Sequence, residues 1–194
     1  MKKRIVDIIN EEISKLYQFV MNEEIVRSTN SDSPQLDLSK KYINNGSTKP
    51  NGLWYEIDND WVRFCAMGNV EWMRKYDITL DIDFSNILIL DTYEKAIEFR
   101  KRYKVPMKQF AHISDPDFLE YTYHLNWGEV GKQYKGIEIP NIENVKQGDI
   151  MADDWLYSWD VDSGCIWDLS AIKNYKVVDC EMYKKRDKLM VDRD

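Results

Sequence analysis

WDVDSGCIWDLSAIK, Trp159 to Lys173, is the stretch on which the reading of this chain turns. Asp160 and Asp162 stand just before a Ser163-Gly164 step, the apolar run Cys165-Ile166-Trp167 follows, and Asp168-Leu169-Ser170 leads out. The apolar run is short and holds a β-branched and an aromatic residue, which suits a buried strand better than a helix. Ser163-Gly164 is read as a tight turn. The stretch is thus expected to deliver carboxylates to the mouth of a buried strand, where they can do chemistry or simply line an acidic loop.

The surroundings of that stretch are acidic. Between Asn141 and Asp168, Glu143, Asp149, Asp153, Asp154, Asp160, Asp162 and Asp168 are set against one base, Lys146. The whole chain of 194 residues carries a formal charge of -7, which argues against a general nucleic-acid or membrane-surface binder, since both need a positive field. Aromatics make up 13% of it, including 7 Trp and 12 Tyr, enough to build a core and still line a pocket. One domain over residues 1–194 is expected: an N-terminal helix at 1–23, a core at 24–183 and a fraying mixed-charge tail at 184–194. Cys65, Cys165 and Cys180 are odd in number and lack paired spacing, so they read as reduced, buried thiols of a cytoplasmic protein. His112 and His124 have no companion ligands, so no metal site is expected. The start, MKKRIVDIIN, lacks an unbroken apolar core and is not read as a signal peptide, and no window approaches the ~18 apolar residues of a membrane helix.

Working along the chain, Ile5, Ile8, Ile9, Ile13, Leu16 and Val20 predict an amphipathic helix over 4–22. A short strand at Glu24–Thr29 precedes a polar, turn-rich segment, Asn30–Asn51. Gly52–Ile57 reads as a strand, and Asp58 or Asn59 as the cap of a helix from Asp60 to Met67 that turns Trp61, Phe64 and Cys65 inward. Tyr76–Phe84 alternates, with Ile78, Leu80 and Ile82 on one face. Asn86–Leu90 is a strand and Tyr93–Tyr103 a helix capped by Asp91 or Thr92. Residues 105–125 carry no decisive pattern. Asn126 caps a helix from Trp127 to Tyr134, Gly136–Ile139 is a strand and Tyr175–Cys180 the last one. A helix followed by short strands broken by short helices is α+β, with a split, mostly antiparallel sheet and short flanking helices.

The order of these elements resembles the ADP-ribosyltransferase fold, especially its small phage and bacterial members, among them the enzymatic anti-CRISPR proteins. Val26-Arg27-Ser28-Thr29 is similar to the family's first motif, an Arg or His at the end of an early strand. Gly52-Leu53-Trp54-Tyr55 and the helix from Asp60 resemble its Gly-Ile/Leu-Tyr-Phe strand and following helix, although Glu56 stands where Ser or Thr often follows. EVGKQYKGIEI, Glu129 to Ile139, with Cys165 to Lys173, resembles its ending. The family's catalytic acid sits just before that last strand. The nearest slot here holds Ser163, with Asp162 beside it and Asp160 three residues before it.

The resemblance implies transfer of ADP-ribose from NAD to a macromolecule, anti-defence work in a phage setting, and a set of site residues. A carboxylate would stabilise the oxocarbenium-like sugar, with Asp160 the first choice, Asp162 the second and Glu138 the third. Arg27, with its forked donors, would hold the diphosphate, helped by Ser28 and Thr29. Gly52, Leu53, Trp54 and Tyr55 would form the nicotinamide side. Trp54 or Tyr55, but not both, should face the pocket, because neighbours on a strand point oppositely. The rival expectation is a non-catalytic inhibitor whose acidic segment, Asn141–Asp168, occupies a basic groove on a partner protein.

Overall fold

Side chains in the early strand alternate across a sheet, and that alternation sorts the whole molecule. The computed structural model describes residues 25–44, 49–106, 123–146, 154–157 and 159–185. The expected helix at 4–22, the end of the tail, His112, Asp149, Asp153 and the side chain of Asp154 lie outside the described residues. The strands are β1 (Arg27–Ser31), β2 (Leu53–Ile57), β3 (Tyr76–Ile82), β4 (Ile87–Ile89), β5 (Lys104–Pro106), β6 (Tyr123–Leu125), β7 (Gly136–Ile139), β8 (Ser163–Ile166) and β9 (Ile172–Asp179). The helices are α1 (Asp60–Gly68), α2 (Tyr93–Tyr103), α3 (Trp127–Gln133), α4 (Ile142–Val145) and α5 (Asp154–Tyr157).

Seven strands form one sheet in the order β4-β7-β8-β2-β1-β3-β9, and β5 and β6 form a separate ribbon. Among the described residues only β4 and β7 run parallel; the other pairs are antiparallel. The class is therefore α+β with a mostly antiparallel sheet. That sheet is continuous, where the sequence reading had it split.

Each face of the sheet carries its own core. On one, Trp54, Ile137, Ile139 and Cys165 pack against Ala96 and Phe99 of α2, Trp127 and Val130 of α3, and Trp155 and Trp159. On the other, Tyr55, Ile78, Leu80, Ile82 and Ile166 pack against Leu36, Phe84, Leu169 and Ala171. Ile78, Leu80 and Ile82 share a face, as their spacing predicts.

Local readings need three corrections. Ser163-Gly164 is not a turn: both residues lie in β8, and the bend comes earlier, at Val161-Asp162. Gly164 is required by packing, because a Cβ there would stand 2.2 Å from Cζ of Tyr55. The second concerns Asp58 and Asn59: Asn59 does hold the N-cap position of α1, but without a side-chain bond. The two residues take left-handed φ values of 52° and 63°, making a tight reversal. Asp and Asn tolerate that region better than most residues. Third, of the residues expected inward on α1, Cys65 is buried and Trp61 packs half-buried against the Cys65, Val70 and Met73 cluster, but Phe64 lies against the rings of Trp61 and Trp72 instead. Thr92 caps α2 and Asn126 caps α3. All three thiols are free and buried. No helix of the described residues is long and apolar enough to cross a membrane.

Candidate functional site

Ser28 on β1, Glu56 on β2 and Ser163 on β8 are direct cross-strand neighbours, with Glu56 in the middle. The reversal at Asp58-Asn59 folds α1 back over this row, so the helix N-terminus lands on Glu56. Its Oε2 accepts the backbone N–H of Val62 at 3.0 Å. Above the row lies a cavity of about 440 Å³, within the range of small-molecule sites. Trp54, Trp61, Trp72 and Trp159 wall it, Ser28, Thr29, Glu56 and Ser163 lie along its base, and Lys49, Arg74 and Asp160 reach its edge.

The base of the cavity holds polar atoms without partners. Glu56 is 3% exposed and Ser28 2%, yet Oε1 of Glu56 and Oγ of Ser28 make no hydrogen bond among the described residues. The indole Nε1 of Trp159 also has no partner among the described residues. Such atoms cost about 1–3 kcal/mol each when left unpaired, so a cluster of them beside a cavity marks a place where a polar ligand group belongs. Burial raises the pKa of Glu56 to about 7, aided by Asp77 and Asp60 and opposed by its bonds to the backbone N–H groups of Val62 and Trp61. A carboxyl poised there can take or give a proton at neutral pH.

The turn carrying Asp160 is anchored on both sides. Trp159 lies edge-on to Trp54 with centroids 4.7 Å apart, and Lys146 Nζ donates to the Trp159 carbonyl at 2.6 Å. Asp160 itself is exposed. Lys49 Nζ sits 5.0 Å over the Trp54 ring. Burial lowers its pKa, and the charge of Asp160 opposes that shift. Arg74 is aimed by Asn30, whose Oδ1 accepts the Arg74 backbone N–H and whose Nδ2 donates to the carbonyls of Arg74 and Tyr76.

Of the residues singled out in the sequence, the cavity gathers Ser28, Trp54 and Asp160 from three distant segments; Thr29 also borders it, but alternation puts its side chain on the Arg27 and Ile78 face. Tyr55 contributes to the lining, but its hydroxyl lies on the opposite face, donating to Oε2 of Glu138 at 2.9 Å. Trp54 is thus the pocket aromatic and Tyr55 the core one. Arg27 is a correction. Strand alternation puts it on the face opposite Ser28, where Nε and Nη2 hold the two oxygens of Glu138 at 2.6 and 2.9 Å. Its guanidinium also lies 4.3 Å from the Phe84 ring centroid. It lines no part of the cavity, and Glu138 is its buried partner.

Asp162 is a second correction. Its Oδ1 accepts the N–H of Ile142 at 2.7 Å and so starts α4. Leu53 packs in the opposite core. Gly52 lets β2 approach β8, since a Cβ there would meet Cys165 Sγ at 2.5 Å. Among the described residues no cluster of His, Cys, Asp and Glu could hold a metal ion.

Glu56, Lys49, Trp72 and Arg74 escaped the sequence reading. Glu56 had a signal: it is two residues from Trp54 in a five-residue strand, so it shares that residue's face, and an acid on the core side of a central strand is unusual. Compared with known families, curated proteins and solved structures, the chain matches no family model, no curated protein and no solved structure.

Proposed function

We propose that the cavity is the substrate site of a mono-ADP-ribosyltransferase that consumes NAD and modifies a macromolecule. The observation that carries the proposal is the convergence of Ser28, Trp54 and Asp160 around unpaired buried polar atoms. Trp54 supplies an aromatic wall for the nicotinamide ring. Ser28 and Glu56, side by side beneath it, offer a hydroxyl and a carboxyl to the polar groups of that half of the substrate. Arg27 has no direct part.

In the reaction the bond between the nicotinamide nitrogen and ribose C1′ breaks, and its electron pair leaves with nicotinamide. Positive charge grows on the ribose, as in glycoside hydrolysis. The carboxylate of Asp160, at the cavity edge, faces that charge. A nucleophile of the acceptor forms the new bond to C1′ and gives its proton to Glu56, which is half ionised near pH 7. The four tryptophans limit water as a competing nucleophile.

Incubation with NAD labelled in its adenylate half and a cell lysate tests this. Wild type releases nicotinamide and transfers label; Asp160→Asn slows both by about 10²-fold or more, and Arg27→Lys retains them. Folded wild type that neither releases nicotinamide nor binds NAD would refute the proposal.

A further inference from the structure

The outer wall of the cavity is built from aromatic residues that the mechanism above uses only to exclude water. Trp61, Phe64 and Trp72 form a compact aromatic cluster on α1 and the turn that follows it, with Trp61 and Phe64 half-buried and Trp72 exposed. Trp61 and Trp72 are parallel to within 8°, with centroids 5.8 Å apart, and Phe64 stacks on Trp61 at 5.5 Å. Trp72 remains 44% exposed. A surface tryptophan held flat by its neighbours is a platform for another planar ring. Both Trp61 and Trp72 line the cavity, so the platform is continuous with its interior.

A cation stands beside the platform. Arg74 lies on the same wall. Its Nη1 donates to the carbonyls of Glu71 and Met73 at 3.1 and 3.3 Å, and its Nε faces Asp32 at 3.5 Å. Nη2 makes no hydrogen bond among the described residues. The Asp32 carboxylate is 68% exposed, and an exposed pair of this kind is weak, so an anion with more charge can displace it. Glu71 is bonded to Arg74 through its carbonyl, Asp77 shares the Asn30 amide with it, and Glu56 and Asp160 line the same cavity. Arginine is the side chain best shaped to grip phosphate oxygens in pairs.

We infer that Trp72 and Arg74 form a nucleotide subsite at the cavity mouth, the indole stacking on a purine base and the guanidinium binding the diphosphate attached to it. The inference deepens the proposal of NAD as substrate and rests on it for the choice of nucleotide. It assigns the adenylate half to the rim, while the Trp54 side receives the nicotinamide half. A protein segment lying on the exposed Trp72 face is the competing occupant.

Calorimetric titration with ADP, which carries the base and the diphosphate but no nicotinamide, is the test. Wild type binds ADP. Trp72→Ala weakens it about 5- to 100-fold, the range of a base–aromatic stack, and Trp72→Phe weakens it less. Arg74→Ala weakens ADP and leaves adenosine unchanged; Trp72→Ala weakens ADP and leaves inorganic pyrophosphate unchanged. Circular dichroism confirms that each variant is folded. Absence of ADP binding to wild type, or ADP binding by both variants at the wild-type level, overturns the inference. The two proposals fail separately. Nicotinamide release from NAD with no effect of either variant on ADP removes the subsite alone. ADP binding that depends on Trp72 and Arg74, without any nicotinamide release, removes the transferase alone.

Discussion

Two buried glutamates sit on one sheet and face opposite ways. Glu138 is held by both arms of Arg27 and by the Tyr55 hydroxyl. Glu56 accepts the Val62 N–H on one oxygen, and the other has no partner among the described residues. They should answer substitution differently. Arg27→Met leaves the Glu138 charge buried without its partner and should cost about 3–5 kcal/mol in urea unfolding. Replacing both residues by apolar ones of similar size should recover most of that loss, and the double-mutant cycle measures how much. For Glu56 the prediction is a pH slope. Its folded pKa, about 7, lies above the ordinary 4.5. Between those values the native state holds a proton that the unfolded chain has released, so stability falls as pH rises from 5 to 7. The contribution is complete below the unfolded pKa and is lost through the folded one, by roughly 3 kcal/mol in all. Glu56→Gln should flatten the slope, as read from urea midpoints across that range. An unchanged slope would mean that Glu56 is not the group responsible.

At the scale of strands and helices, the joint between β2 and β8 is the most exacting contact. Gly164→Ala would drive a methyl into the Tyr55 ring and toward the Ile137 carbonyl, and Gly52→Ala would drive one into Cys165 and the Ile166 carbonyl. Each should cost about 3 kcal/mol or more, since the second contact is backbone and cannot turn aside. Gly131→Ala, with 3.6 Å to its nearest neighbour, should be tolerated; thermal melts of the three variants check the contrast. The same joint explains what could be read in advance. The alternation of Ile78, Leu80 and Ile82 and the caps at Thr92 and Asn126 are local rules, and they held. Ser163-Gly164 misled because a glycine demanded by a ring from another strand looks, in sequence, like a glycine demanded by a turn. Phe64 misled because it lies against Trp61 and Trp72 rather than on the Cys65 cluster that Trp61 reaches. Arg27 was placed in the site by motif position, although strand alternation already opposed it to Ser28.

For the molecule as a whole, β1, β2 and the Trp159-Asp160 turn come together because β8 pairs with β2 and the turn enters β8. That topology, which no single segment reveals, makes one cavity out of residues 28 to 163. It also separates the two charged arrangements: the Arg27–Glu138 pair braces one face, and the carboxyls of Glu56 and Asp160 serve the other. The account accordingly predicts that Arg27→Met acts on stability and Asp160→Asn on turnover, with little exchange between the two effects when unfolding and nicotinamide release are measured on each variant. A crystal structure of the wild-type protein soaked with NAD is the most direct measurement. The nicotinamide ring should lie against Trp54, above Ser28 and Glu56 and within reach of Asp160, with Arg27 still bound to Glu138. NAD seated on the Arg27 and Phe84 face, or a Trp54 cavity left empty at saturating NAD, would contradict the account.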